Sequence, residues 1–172
     1  LGTRRVTNSS VDVAIGGDEI LYVLGRGGDI TRMTWEDEDL GSIAGAGRDD
    51  GRFVWPVAML IDRDEYLWVT DEALHRITVL TKEGEFLRKW GEYGDGEGQL
   101  NGPSGIAFDA DENVYVSDTL NHRLQKFTND GEFLMKFGSH GQGDGEFDMP
   151  WGVAIDELGD VYVSDWRNDR VQ

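Results

Sequence analysis

Between residues 102 and 134 the chain alternates short apolar runs with turn-forming residues: GIAFD, NVYVSD, RLQKF and EFLMKFG. Runs this short, rich in Val, Ile, Tyr and Phe and bounded by turn residues, predict β-strands. Asp111, Glu112 and Asn113 supply a hairpin turn between the first two strands. Asn129, Asp130 and Gly131 supply one between the last two, with Gly131 free to take positive φ, and Glu83 and Gly84 hold the matching place one repeat earlier. No window shows the i, i+3, i+4, i+7 spacing that predicts a helix.

The same pattern is written before this stretch and after it. Pro56, Pro103 and Pro150 are 47 residues apart, as are Asp62, Asp109 and Asp156; Asp71, Asp118 and Asp165; and Arg76, Arg123 and Arg170. A fixed period of this size marks a solenoid, a propeller or an array. Each unit reads as a four-stranded antiparallel meander, and a single such sheet cannot bury its own faces, so copies must stack. The expectation is an all-β fold, a β-propeller of four-stranded blades occupying residues 1–172 as one partial domain. The blades are expected at about 10–45, 55–91, 102–138 and, incomplete, 149–172, so that the chain holds about three and two-thirds units. The first copy is degenerate: Ser10 stands in the place of proline, and Gly16 and Gly25 in the places of the two aspartates. Residues 3–7 are read either as a strand completing another blade or as a stub of missing sequence.

The motifs Pro-x-Gly-Ile-Ala-x-Asp (103–109), Val-Tyr-Val-Ser-Asp (114–118) and Asn-His-Arg-Leu-Gln-Lys-Phe (121–127) resemble the NHL repeat. The Gly-rich runs at 91–100 and 138–147 are similar to the linker of that family. The resemblance covers about residues 10–172, is specific in the second to fourth copies, and implies a six-bladed parent fold. Three arrangements fit a ring that is incomplete in one chain. The chain is a fragment of a longer protein, or two copies complete a ring by self-association, or residues 3–7 close a small four-bladed ring. An unclosed propeller leaves apolar blade faces and unpaired edges in water.

Charge narrows the function. The formal net charge of −18 disfavours sequence-independent binding to nucleic acid, which depends on clustered Lys and Arg. There is no apolar run of 18 residues to span a membrane as a helix. The absence of cysteine excludes disulfides and thiolate metal sites but leaves the compartment open, and the chain opens on Leu1 rather than Met.

In an up-and-down meander, the loops between second and third strands share one face with the Gly-rich linkers, and binding residues favour such loops on a rigid scaffold. The candidates on this face are Trp55, Val57, His75, Ser104, Asn121, His122, Trp151, Trp166 and Arg167. Trp151 is the best single contact residue, since exposed Trp is enriched in binding hot spots; core filling beside Pro150 is its competing reading. Trp68 and Trp90 fall at strand positions and are expected in blade packing. The recurring pairs Asp71 and Arg76, Asp118 and Arg123, and Asp165 and Arg170 are expected to fix loop shape through charge-assisted bonds, rather than to line the channel with acid.

His75 and His122 share a repeat position and read as satisfied loop histidines, not as metal ligands; His140, in a linker, has no evident partner. Asp109-x-Asp111-x-Asn113 imitates the start of a calcium loop but lacks the glycine at position six, so it reads as a hairpin. A second, distant resemblance is to the peptidyl-hydroxyglycine amidating lyase propeller, carried by Leu67-Trp-Val-Thr-Asp71 and by Leu74 and His75. That family implies zinc held by histidines after the inner-strand proline, where this chain has Val57, Ser104 and Trp151. No nucleophile elbow or phosphate-binding loop is present in the sequence. The expected function is a non-catalytic scaffold that binds a protein, peptide or small polar ligand, with no cofactor. The alternative is a metal-dependent lyase or hydrolase, and only that alternative calls for zinc or calcium.

Overall fold

The computed structural model describes residues 9–172, so the strand considered for residues 3–7 lies outside the described residues. All four expected sheets are present. The first contains β1 (Ser10–Ile15), β2 (Leu21–Gly25), β3 (Asp29–Met33) and β4 (Asp39–Ala44). The second contains β5 (Pro56–Ile61), β6 (Leu67–Asp71), β7 (Arg76–Leu80) and β8 (Phe86–Trp90). The third contains β9 (Pro103–Phe108), β10 (Val114–Asp118), β11 (Arg123–Phe127) and β12 (Phe133–Phe137). The fourth has three strands, β13 (Pro150–Ile155), β14 (Val161–Asp165) and β15 (Arg170–Val171). Each sheet runs in chain order, and its neighbouring strands are antiparallel. This is the all-β, bladed architecture of a β-propeller.

The turns follow from their residues. Asp109 Oδ1 accepts the N–H groups of Asp111 and Asn113, and Glu112 takes the left-handed conformation at φ 62°. The carboxylate that imitated a calcium ligand is therefore occupied in closing a hairpin. Gly131 has φ 89°, and a Cβ there would lie 2.7 Å from the Trp90 ring. The turn thus needs glycine twice over, for its backbone and for the aromatic ring against it.

Every first strand carries a register shift near its start, at Ser10 and Asp12 in β1 as well as beside Pro56, Pro103 and Pro150. Because Ser10 shows it too, the bulge belongs to the blade, and proline fits a place where the ladder is already broken.

The chain divides into two compact units. One holds the described residues up to Leu74 together with Thr78–Lys89; the other holds His75–Ile77 and Trp90–Gln172. In the first unit Leu24, Ile30, Phe53, Met59 and Leu67 form one buried cluster. Trp68 is fully buried, with its indole N–H donated to Asp62 and the Arg88 guanidinium over its ring. In the second unit Leu124, Phe147 and Val163 form a core with Phe137, Val153 and Val161 packed against it. There the backbones of β9 and β13 approach so closely that a Cβ on Gly105 would lie 2.4 Å from the Trp151 carbonyl oxygen. This is why the Pro-x-Gly motif carries glycine at its third position.

Candidate loop-face site

The register of each second hairpin decides what its loop does. Asp118 pairs directly with Arg123, and Asp165 with Arg170, across a loop that makes one 3-10 turn, Thr119–Asn121 or Trp166–Asn168. Asp118 is fully buried and accepts bonds from Arg123 Nε at 2.7 Å, Asn121 Nδ2 at 2.9 Å, Gln125 Nε2 at 3.0 Å and the Asn101 N–H at 2.6 Å. Arg123 spends its other nitrogens on carbonyl oxygens of the preceding linker, at Asp95, Gly96 and Gln99. Arg170 repeats this on Gln142, Gly143 and Glu146. Each arginine therefore fixes a linker as well as a loop, a reach that spacing alone did not predict. Hydrogen bonds from Asn168 and Arg170 hold Asp165 below the ordinary carboxylate range, although burial alone would raise it. In the second blade Asp71 accepts the N–H groups of Val54, Trp55, Ala73 and Leu74, and Arg76 is buried.

The loop histidines have a shared duty. His75 and His122 adopt φ 52° and 54°, the left-handed conformation that closes the turn. Nδ1 of His75 accepts the Gly102 N–H and Nδ1 of His122 accepts the Met149 N–H, each at 3.1 Å. In this way each one holds the entry to the following blade. Asp169 takes the same conformation at φ 49° in the last copy. Asn121 is likewise committed, donating to Gly94 O and Asp118.

His140 is not isolated, contrary to expectation. The linker folds back through a bridge between His140 and Phe147, which returns His140 to the side of Asp148. Its ring lies 4.3 Å from that of His122, and its Nε2 lies 3.7 Å from Asp148 Oδ1. Burial and the adjacent His140 hold His122 below its ordinary value of 6.5, against the pull of Asp148.

Trp151 and Trp166 come together, with ring centroids 6.1 Å apart in an edge-to-face arrangement. They are 40% and 57% exposed. Together with Ser164, Asp165, Asp169, Arg170 and Val171 they line a shallow, open cavity of about 530 Å³. Arg167 is exposed beside them, and its backbone N–H is held by Asp148 O. Ser104, expected to face a ligand, is instead fully buried beneath the Trp151 carbonyl, with Thr119 Oγ1 at 2.6 Å. Trp55 and Val57 lie in the first unit, where Trp55 is covered on one face by the Arg26 guanidinium at 4.6 Å.

A model of the NHL repeat matches residues 100–127 and 147–172. No curated protein matches the chain. Among solved structures, a streptogramin B lyase is similar over 98% of this chain and 52% of its own, with a TM-score of 0.76 at 13% identity. A catalytically inactive virginiamycin B lyase from Staphylococcus aureus, solved with quinupristin, is similar over 95% of this chain and 54% of its own, at TM-score 0.70 and 15% identity. A gluconolactonase from Xanthomonas campestris is similar over 89% and 55%, at TM-score 0.65 and 22% identity. The chain thus spans about half the length of these structures, and at such identities the likeness is one of fold.

Proposed function

We propose that this chain, an NHL-repeat β-propeller, is a non-catalytic binding module whose contact surface is the loop face of its last blade. The observation that carries the reading is the pair Trp151 and Trp166, two exposed indoles held edge to face over a cavity. Both stand on backbone that is pinned: Pro150 pairs with Asp165, and Asp165 is bonded to Asn168 and Arg170. Aromatic anchors on a rigid frame bind with little loss of conformational freedom. Asp169 and Arg170 add one charge of each sign to the lining of the cavity, which suits a peptide segment or a small polar ligand.

The fold is shared with lyases and a gluconolactonase, so a metal-dependent lyase or hydrolase is the competing class. Against the amidating-lyase form of that class stand Val57, Ser104 and Trp151, at the places where the resemblance to that family implies zinc-binding histidines.

The test is an immobilised array of short peptides and simple glycans, probed with the intact chain and with the variants Trp151→Ala and Trp166→Ala. Binding that is lost in both variants, while thermal melting is retained, supports the reading. Binding unaffected by both substitutions, or no binder in either class, overturns it.

A further inference from the structure

The geometry points to a second site on the same face: we propose that His122, His140 and Asp148 bind a divalent transition-metal ion of the imidazole-preferring class, with zinc(II) the type case. One donor atom from each of the three residues lies within 4.8 Å of the others, the only such group of three among the described residues. Asp148 Oδ1 is the common point, 3.4 Å from His122 Nδ1 and 3.7 Å from His140 Nε2. Ligands bound at ~2.0–2.1 Å around a tetrahedral zinc stand ~3.4 Å from one another. These two separations are close to that edge, the third, between the two imidazoles, lies within 4.8 Å, and a rotation of the His140 side chain closes the remainder. His140 is free to make it, since its side chain is 66% exposed. That exposure also leaves the fourth position open to water. Two imidazoles and one carboxylate favour zinc, copper or nickel over calcium or magnesium, which prefer all-oxygen sites.

The preceding repeat is an internal control. His75 occupies the place of His122, and Nδ1 of both residues accepts a backbone N–H ahead of the next blade. The places of His140 and Asp148 are held there by Tyr93 and Asn101, and Tyr93 packs on His75 at 4.9 Å much as His140 packs on His122. The scaffold is therefore satisfied without any chelating group at those two places. Replacing Tyr by His and Asn by Asp on an unchanged frame converts a structural contact into a donor set. A further departure is Met149, which takes φ 57° where the preceding repeat has Gly102 at φ 62°. Left-handed backbone is unfavourable for a residue with a side chain, and it is often retained at functional sites.

Binding has a definite local cost. The lone pair of His122 Nδ1 that would meet the ion already accepts the Met149 N–H, so this N–H must turn to water when the ion enters. The amide of Met149 is therefore a reporter of occupancy that an ion held by surface carboxylates would not move.

The experiment is calorimetric titration of metal-free chain with zinc chloride, in excess magnesium to fill the acidic surface. Backbone amide NMR spectra are recorded in parallel. The variants are His140→Tyr and Asp148→Asn, singly and together, which restore the residues of the preceding repeat and so keep the fold. Residues that merely orient a ligand are worth about 10–100-fold in affinity, so loss of a direct ligand is expected to weaken zinc at least about tenfold. The expected result is one zinc per chain, a shifted Met149 amide, and loss of both in the double variant. No stoichiometric zinc, or zinc bound equally well by the double variant, overturns the site.

Discussion

The hydroxyl of Ser104 lies 2.8 Å from the carbonyl oxygen of Trp151, the residue that holds its own place one repeat later. Thr119 Oγ1 completes the arrangement, 2.6 Å from Ser104 Oγ and donating to Pro150 O at 2.8 Å. Two buried hydroxyls thus join the first strands of the third and fourth blades directly beneath the exposed Trp151. Ser104→Ala removes that donor from the part-buried Trp151 carbonyl, which costs about 0.5–1.5 kcal/mol. Urea denaturation is expected to show this loss, together with weaker ligand binding through a displaced Trp151. Unchanged stability would mean that the hydroxyl contributes nothing to the joint.

Gly105 sits beside Ser104, where the Trp151 carbonyl and the backbone of Gly152 crowd the space a side chain would need. The obstruction is backbone, which cannot swing aside as a side chain can. Gly105→Ala is expected to destabilise by about 1–3 kcal/mol, the range for overpacking. It should also shift the amide resonances of β13. Melting at the wild-type temperature would show that the two strands can separate freely.

Arg123 is buried with Asp118, and removing one member of a buried ion pair typically costs about 3–5 kcal/mol. Arg123→Ala also frees three linker carbonyls, so amide exchange should rise across residues 94–101 before it rises in β9. Hydrogen-exchange mass spectrometry distinguishes this from uniform loosening, in which every strand would gain exchange together.

Asp109 and Lys126 give a dependence on pH with a definite sign. Burial works to raise Asp109, but bonds from Lys126 and Asn113 prevail and hold it below its ordinary 3.8. The bond to Asp109 raises Lys126 above 10.5, against burial. A depressed carboxyl contributes stability above its unfolded value and loses it as pH falls through the lower folded value. A raised amine contributes below its unfolded value and loses it as pH rises through the higher folded one. The pair is therefore fully stabilising from about pH 4 to about pH 10. In Lys126→Met the Asp109 carboxyl should titrate at higher pH by NMR; an unmoved titration would remove Lys126 as the cause.

Much of this was legible in the sequence. Period and turn residues located the sheets because a meander is a local structure: Asp111 to Asn113 and Asn129 to Gly131 act on their own neighbours. The facing of Asp118 and Arg123 followed from a hairpin with a four-residue loop, Thr119 to His122. What escaped were contacts made at a distance. Ser104 read as a loop residue because nothing local says that Trp151 will cover it. His140 read as solitary because its partners depend on how a Gly-rich linker closes. Trp68 offers the same lesson in reverse: its strand position was plain, whereas the Arg88 cation over its ring was not.

Arg123, Asn121 and Gln125 all reach back to the segment that leads into their own blade, between Gly94 and Gln99. The piece that can be cut out and grafted whole is accordingly not a sheet but a sheet with the approach that precedes it, roughly residues 92–138. During synthesis that approach leaves the ribosome first and waits for the strand that will grip it. Each blade is thus secured from behind as it emerges, and a graft that carried the sheet without the approach that precedes it would leave its arginine nothing to hold.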